Sequence, residues 1–146
     1  MAAYFDALVR VRYAETDQMG VVYHSNYLIY FEIGRTEYIR GAGLDYKKME
    51  IEDDCFFVVA SASIRYIRPA RYDDVLRIRT RVTESSRRTA RIGYEIFNDA
   101  NEELLATGET YHVFCDHTGR PRALPEKHRK YFEAVGPPEP GPAMTS

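Results

Sequence analysis

The most distinctive segment of the sequence places an acid shortly before a predicted helix. Asp17 lies in a polar loop that ends at Gly20, and His24 stands where the helix is predicted to begin. The first turn of a helix offers unpaired backbone N–H groups and the positive end of the helix dipole. A carboxylate beside such donors can attack a carbonyl carbon or activate water, while an N–H group stabilises the oxyanion. An acid in a glycine-containing loop is also typical of an ordinary turn, so the spacing alone leaves both interpretations open.

A group of arginines indicates a second kind of site. Arg87, Arg88 and Arg91 stand in and just after a predicted turn that contains Ser85 and Ser86. Guanidinium groups with neighbouring hydroxyls can hold a phosphate group. The pattern is equally typical of a solvated turn, so both interpretations stay open.

Three potential metal ligands occur near the end of the last predicted strand. On a strand, His112 points to one face of the sheet, whereas Cys115 and His117 point to the other. These side chains do not converge on one ion without a bulge in the strand. We therefore expect no metal site here.

Alternating apolar and polar residues predict five strands, and a helical period predicts one long helix before the last four of them. The strands are expected at residues 7–13, 58–67, 75–83, 89–97 and 104–115, and the helices at residues 25–40 and 125–134. One face of the long helix carries Tyr27, Phe31, Gly34 and Tyr38. Its first half is apolar on nearly all sides, as in a buried helix. Four successive strands without a crossover helix indicate an antiparallel sheet and an α+β fold.

Composition and charge indicate one globular domain. The 146 residues are 45% apolar and 29% charged, which is ordinary for such a domain. The net charge of −2 argues against nucleic-acid binding. No apolar run approaches the ~20 residues that span a bilayer, and no export signal is expected. Cys55 and Cys115 are expected to be free thiols in a reducing cytoplasm. We expect one domain over residues 1–136 and a disordered, proline-rich tail over residues 137–146.

The stretch from Arg12 to Tyr27 reads R-Y-A-E-T-D-Q-M-G-V-V-Y-H-S-N-Y. This stretch resembles the signature of the 4-hydroxybenzoyl-CoA thioesterase family, and in particular its acyl-CoA thioesterase branch associated with the Tol–Pal operon. The resemblance continues through later segments and covers roughly residues 5 to 134. Those segments are Phe57-Val58-Val59, Ile64-Arg65-Tyr66, Arg68-Pro69-Ala70, Tyr72-Asp73-Asp74 and Arg122-Ala123-Leu124-Pro125.

The resemblance implies a hotdog fold, in which a curved antiparallel sheet wraps a long central helix. It also implies a homodimer whose sheets join edge to edge, often paired again into a homotetramer. The active sites then lie between subunits, and the substrate is an acyl-CoA. Coenzyme A is part of that substrate, and no other cofactor and no metal are implied.

The same resemblance assigns roles to residues of the distinctive segment. Asp17 matches the catalytic carboxylate, acting as nucleophile or general base, and His24 supplies a backbone N–H as oxyanion donor. The residues implied to contact substrate are Gly20, Val21, Tyr23, Asn26, Tyr27, Arg87, Arg88 and Arg91. Two alternatives stay open: a hydroxyacyl-thioester dehydratase that uses His24 with Glu32, and a non-catalytic protein that binds acyl-CoA. The identity of the acyl group also stays open.

Overall fold

One antiparallel sheet of five strands forms the frame of the protein. In a computed structural model, which describes residues 4–134, neighbouring strands lie in the order β1-β3-β4-β5-β2. The strands are β1 (Phe5–Arg10), β2 (Phe56–Tyr66), β3 (Val75–Ser85), β4 (Thr89–Asn98) and β5 (Leu104–Cys115). All four neighbouring pairs are antiparallel, as predicted. β1 and β2 therefore form the two edges of the sheet.

The long helix α1 (Asn26–Gly41) packs on one face of this sheet, as predicted. Its buried residues are Tyr27, Tyr30, Phe31, Gly34, Tyr38 and Ile39. The Phe31 ring stacks on Tyr94 of β4, with 4.2 Å between the ring centroids. Gly34 lies so close to β3 that a Cβ atom there would stand 2.5 Å from the Thr80 hydroxyl oxygen. A larger residue at position 34 would therefore push α1 away from the sheet.

The first turns of α1 are more exposed than their apolar sequence predicts. Leu28 is 43% exposed and Ile29 is 48% exposed. The expectation of a helix buried on most sides is wrong here, because the sheet covers one side of α1 only. Two large apolar side chains consequently face outward beside the start of the helix.

A second helix, α2 (Tyr46–Asp53), lies between α1 and β2 and is absent from the sequence prediction. Met49 alone of its residues is buried, so the segment lacks the apolar period that marks a helix. Asp45 caps the N-terminus by accepting the Lys48 N–H at 3.2 Å. Asp54 ends the helix in the left-handed conformation, with φ of 48°.

The ends of the described chain also differ from the prediction. β1 ends at Arg10 rather than at residue 13, because its partner β3 begins at Val75, directly opposite Arg10. A 3₁₀ turn, Tyr13–Glu15, follows. The C-terminal helix is a 3₁₀ helix, Glu126–Phe132, and the tail expected over 137–146 lies outside the described residues. Between residues 4 and 134, no helix has the length and apolar character needed to cross a membrane.

The outer face of the sheet carries an ion-pair layer rather than a simple solvated row of arginines. The Arg77 side chain is only 15% exposed and contacts Asp99 at 2.9 Å and Glu102. Arg79 pairs with Asp6 of β1 at 2.9 Å. These arginines of β3, together with Arg81, are thus half-buried and largely neutralised by carboxylates from neighbouring segments.

The inner face of the sheet contains a short buried polar chain. The Tyr94 and Thr110 hydroxyls lie 2.6 Å apart, and the Thr110 hydroxyl lies 2.6 Å from His112 Nε2. The His112 ring is fully buried and stacks on Phe57 with 3.9 Å between centroids. Burial, assisted by the positive charge of Arg35, lowers the pKa of His112 to about 3. His112 is therefore neutral at physiological pH.

We expect His112 to make the fold acid-sensitive. In the unfolded chain its pKa is about 6.5, whereas in the folded chain it is about 3. As the pH falls, the unfolded state therefore binds a proton before the folded state does. The folded state consequently loses stability as the pH falls from about 6.5 towards 3. His112→Gln does not titrate and should show a shallower loss of unfolding free energy between pH 7 and pH 4.5 in urea titrations.

His117→Gln provides the control, because the Asp54 carboxylate raises the pKa of His117. Protonation of His117 thus favours the folded state, and its removal should not make the pH dependence shallower. An identical loss of stability in wild type and His112→Gln would contradict the role of His112.

Candidate active site

Asp17 is held in a tight loop by its own backbone neighbours. Its Oδ1 atom accepts the Met19 N–H at 2.8 Å, and the Val21 N–H lies 3.5 Å away. The Asp17 N–H donates to the Val21 carbonyl at 2.9 Å, and Gly20 closes the turn with φ of 78°. Among the described residues no donor reaches Oδ2 of Asp17. One oxygen therefore orients the half-buried carboxylate, and the other is free for chemistry.

The loop is fastened to the segment that follows β2. Thr16 and Val22 form a bridge across the loop, and Val21 forms another with Arg71. The Val22 N–H also donates to the Ala70 carbonyl at 2.8 Å. Both arms of the Asp17 loop thus have fixed backbone partners.

A buried acid, Glu15, ties this loop to the start of α1. The Glu15 carbonyl accepts the Tyr23 N–H at 2.9 Å and the Asn26 side-chain amide at 2.8 Å. Its carboxylate accepts the Arg12 N–H at 2.8 Å and the Tyr30 hydroxyl at 3.1 Å. Burial and the nearby Glu15 charge both raise the pKa of Tyr30, so its hydroxyl keeps the proton that it donates. Glu15 therefore connects the loop to two successive turns of the helix.

The turn that leads into α1 leaves two backbone donors unused. Asn26 N–H donates to the Tyr23 carbonyl at 2.9 Å, and Tyr27 N–H donates to the His24 carbonyl at 3.3 Å. Within residues 4–134, no acceptor pairs with the N–H of His24 or Ser25. These are the leading N–H groups of the helical turn, where the helix dipole favours negative charge. They can stabilise an oxyanion beside the Asp17 loop.

A small cavity opens between this helix start and the chain after β2. It has a volume of about 260 Å³ and is lined by Val21, Val22, His24, Tyr27, Tyr66, Ile67, Arg68 and Pro69. The Tyr66 hydroxyl donates to the His24 carbonyl at 3.0 Å. This hydrogen bond fixes the cavity wall beside the unused N–H groups of His24 and Ser25. Burial raises the pKa of Tyr27, and its hydroxyl oxygen accepts the Ala70 N–H at 3.4 Å. The cavity is smaller than the roughly 300–1,000 Å³ of a typical small-molecule site.

A family model described as the thioesterase-like superfamily matches residues 11–134. This chain belongs to that superfamily. The acyl-CoA thioester hydrolase YbgC of Escherichia coli O6:H1 is 38% identical to it over 119 residues, covering 81% of this chain and 87% of that protein. The putative acyl-CoA thioesterase YneP of Bacillus subtilis is 35% identical over 131 residues, covering 86% of this chain and 94% of that protein. The crystal structure of DHNA-CoA thioesterase from Staphylococcus aureus superposes with a TM-score of 0.82 at 34% identity and covers 88% of each chain. The fold of this thioesterase-like protein is therefore the hotdog fold.

Seven of the predicted site residues of this thioesterase-like protein lie together. They are Asp17, Gly20, Val21, Tyr23, His24, Asn26 and Tyr27. Tyr23 is 48% exposed, and its ring lies 4.4 Å from that of His24. The Asn26 amide and the Tyr27 hydroxyl have protein partners, so both residues help to build the site.

The three predicted phosphate contacts lie elsewhere in the same chain. Arg87 and Arg88 occupy the turn after β3. β3 has 11 residues, and at about 3.3 Å per residue its length places this turn about 30 Å from the Asp17 loop. Arg91 pairs with Glu84 at 3.1 Å and with Glu109 at 2.8 Å. None of the three lines the cavity beside the Asp17 loop, and Arg91 already has two carboxylate partners.

The potential metal ligands are also separated. His112 is buried in the core, whereas His117 is exposed and contacts Asp54 at 3.0 Å. In the part of the chain that the structure describes, no three histidine, cysteine, aspartate or glutamate side chains come together in a metal-binding arrangement.

Glu15, Tyr30, Tyr66 and Arg68 belong to the site and have no assigned role in the sequence prediction. Glu15 stands two residues before Asp17, but its function depends on Tyr30, which is 15 positions away. An acid immediately before a polar loop is the one local sequence signal that could have indicated this role of Glu15.

We expect Tyr30→Phe to loosen the Asp17 loop, because it removes the hydroxyl that holds Glu15 to α1. The unfolding free energy should fall by about 1–2 kcal/mol, as for a buried hydrogen bond. Amide hydrogen exchange of residues 16–23 should become faster. Tyr72→Phe is the control, since its ring is 55% exposed. Unchanged exchange in Tyr30→Phe would contradict the anchoring role of Glu15.

Proposed function

We infer that this protein is an acyl-CoA thioesterase, an enzyme that hydrolyses a thioester to a carboxylic acid and free coenzyme A. The relatives YneP and YbgC, which match it over more than four-fifths of its length, carry acyl-CoA thioesterase names. The observation that carries the proposal is the pairing of one oriented carboxylate with a helix start whose N–H groups are unused. Acyl transfer needs both of these groups.

Asp17 is the proposed catalytic residue, and the His24 N–H is the proposed oxyanion donor. In one route, Asp17 attacks the thioester carbonyl, the C–S bond breaks, and water then hydrolyses the mixed anhydride. In the other route, Asp17 takes a proton from water as that water attacks the carbonyl. In both routes the carbonyl oxygen becomes negative and the sulfur leaves as a thiol after gaining a proton. The free Oδ2 atom of Asp17 serves either route.

Gly20 and Val21 are proposed to border the bound thioester. The loop at Gly20 lacks a side chain, so substrate can approach the backbone closely. Tyr23, Asn26 and Tyr27 surround the helix start, where Asn26 and Tyr27 act mainly by holding the site together. Arg87, Arg88 and Arg91 remain proposed phosphate contacts only for a substrate bound at another subunit's site.

The proposed enzyme is a homodimer joined through β2. This edge strand exposes Val58 and Val59, each 43% exposed, followed by the small residues Ala60 and Ser61. A strand edge with unpaired backbone groups and apolar side chains is a template for another strand. The small cavity agrees with a site completed by the partner. Association of two dimers into a homotetramer stays a prediction from the family resemblance.

The free thiols Cys55 and Cys115 support a cytoplasmic location.

Asp17→Asn should abolish most turnover while leaving the fold intact. The amide oxygen can still accept the Met19 N–H, but the side chain neither attacks a carbonyl nor removes a proton. We expect thiol release from short, branched and aromatic CoA esters to fall by about a thousandfold. Asp45→Asn is the matched control, because it removes a charge but keeps the helix cap of α2.

Near-wild-type rates for Asp17→Asn would refute the mechanism. An enoyl product in place of free thiol would indicate the dehydratase alternative. Tight binding of CoA esters by wild type without any thiol release would indicate a non-catalytic binding protein.

Ala60→Lys should disrupt the proposed dimer without unfolding the subunit. Lysine on a strand edge opposes strand pairing, and position 60 is exposed. Analytical ultracentrifugation should give a multiple of the 16.9 kDa chain for wild type and a single chain for the variant. Ser86→Lys, in the exposed turn after β3, is the control. A wild-type protein that sediments as a monomer, or a variant that keeps the wild-type mass, would rule out the β2 interface.

A further inference from the structure

The chain between β2 and β3 borders the site but has no part in the proposed hydrolysis. Arg68 lines the cavity together with His24 and Tyr27. Its N–H donates to the Leu105 carbonyl at 3.0 Å, which fixes the backbone where the chain leaves β2. Arg71 lies next along the same edge, bridged to Val21 of the Asp17 loop. Two arginines thus stand beside the proposed catalytic groups on a rigid backbone.

These two arginines have no carboxylate partner among the described residues, whereas half of the other fourteen arginines do. Within residues 4–134, seven arginines lie within 4.0 Å of a carboxylate, namely Arg10, Arg12, Arg40, Arg77, Arg79, Arg81 and Arg91. Arg68 and Arg71 are exposed and have no carboxylate partner among the described residues. Asp74 is nearby, but it accepts the Arg71 backbone N–H at 2.9 Å rather than pairing with the guanidinium. Arg68 and Arg71 thus present two guanidinium groups without a carboxylate partner in a chain of net charge −2.

The arrangement favours an anion at the mouth of the cavity. A guanidinium presents a planar set of donors that matches phosphate oxygens and stays charged at all relevant pH values. The proposed substrate, an acyl-CoA, carries a diphosphate and a ribose phosphate beyond its pantetheine arm. The cavity wall is otherwise mostly apolar, with Val21, Val22, Ile67 and Pro69, and so suits the uncharged part of that molecule.

We propose that Arg68 and Arg71 bind the phosphate groups of the CoA ester whose thioester lies at the same subunit's Asp17. This assignment rests on the proposed thioesterase function and identifies how that site holds its substrate. It gives each subunit its own phosphate contacts at its own site. Arg87 and Arg88, by contrast, lie at the far end of β3 from the Asp17 loop.

The double variant Arg68→Gln/Arg71→Gln tests this assignment. By calorimetry, the Kd for coenzyme A should rise about tenfold or more, and its dependence on salt concentration should become weaker. With the best ester from the thiol-release panel, KM should rise by a similar factor and kcat should stay within about twofold. The N-acetylcysteamine thioester of the same acyl group lacks phosphates, so its kcat/KM should fall far less than that of the CoA ester.

Arg120→Gln/Arg129→Gln is the matched control, because it removes two exposed arginines from the opposite end of the sheet. Arg87→Gln/Arg88→Gln tests the competing location. The assignment is overturned if Arg68→Gln/Arg71→Gln leaves the coenzyme A Kd unchanged, if only the Arg87/Arg88 variant raises it, or if both thioesters lose activity equally. Failure of the thioesterase function itself is distinct: wild type would then release no thiol from any ester, whatever its affinity for coenzyme A.

Discussion

The site depends on one buried carboxylate, that of Glu15. Only 7% of this residue is exposed, yet its carboxylate accepts hydrogen bonds from Arg12 and Tyr30, and its backbone carbonyl accepts one from the Asn26 amide. An ionised carboxylate only accepts hydrogen bonds, so it suits a point where Arg12, Tyr30 and the backbone all present donors. A buried acid without such partners would destabilise the fold by several kcal/mol. Because all of its contacts form together, the Asp17 loop and the start of α1 adopt one relative position.

That position explains why the candidate catalytic groups lie at one end of the sheet. α1 approaches the sheet closely at Gly34, and its first turn therefore lies near the exit from β2 and the entry to β3. The chain after β2 supplies the Tyr66 hydroxyl to the His24 carbonyl and the Ala70 carbonyl to the Asp17 loop. The central strands meanwhile bury the Tyr94–Thr110–His112 hydrogen-bonded chain under the helix, in which His112 Nδ1 has no partner among the described residues. The arginine ion pairs lie on the opposite face of the sheet.

Local sequence patterns are sufficient to predict the long helix, the strands and the position of the Asp17 loop. Apolar periods identify α1 and the strands, and an acid followed by Gly20 marks the loop. The sequence does not predict α2, because only Met49 of this helix is buried and the segment therefore shows no helical period of apolar residues. The ion pairs of Arg91 could not be predicted because its carboxylate partners come from strand pairing, which a linear sequence does not display. Glu15 was missed because its role requires contacts with residues up to 15 positions away.

The unpaired edge of β2 also affects how the protein must be made. From Phe56 to Ala60 the strand is apolar and uncharged, and its first charged residue is Arg65. A newly synthesised subunit therefore displays an apolar, hydrogen-bonding edge until another strand covers it, which is the composition that favours aggregation. The edge proposed as the dimer interface is consequently a hazard for as long as it stays uncovered. If the proposed dimer forms, rapid assembly after synthesis, rather than greater stability of the single subunit, protects this strand.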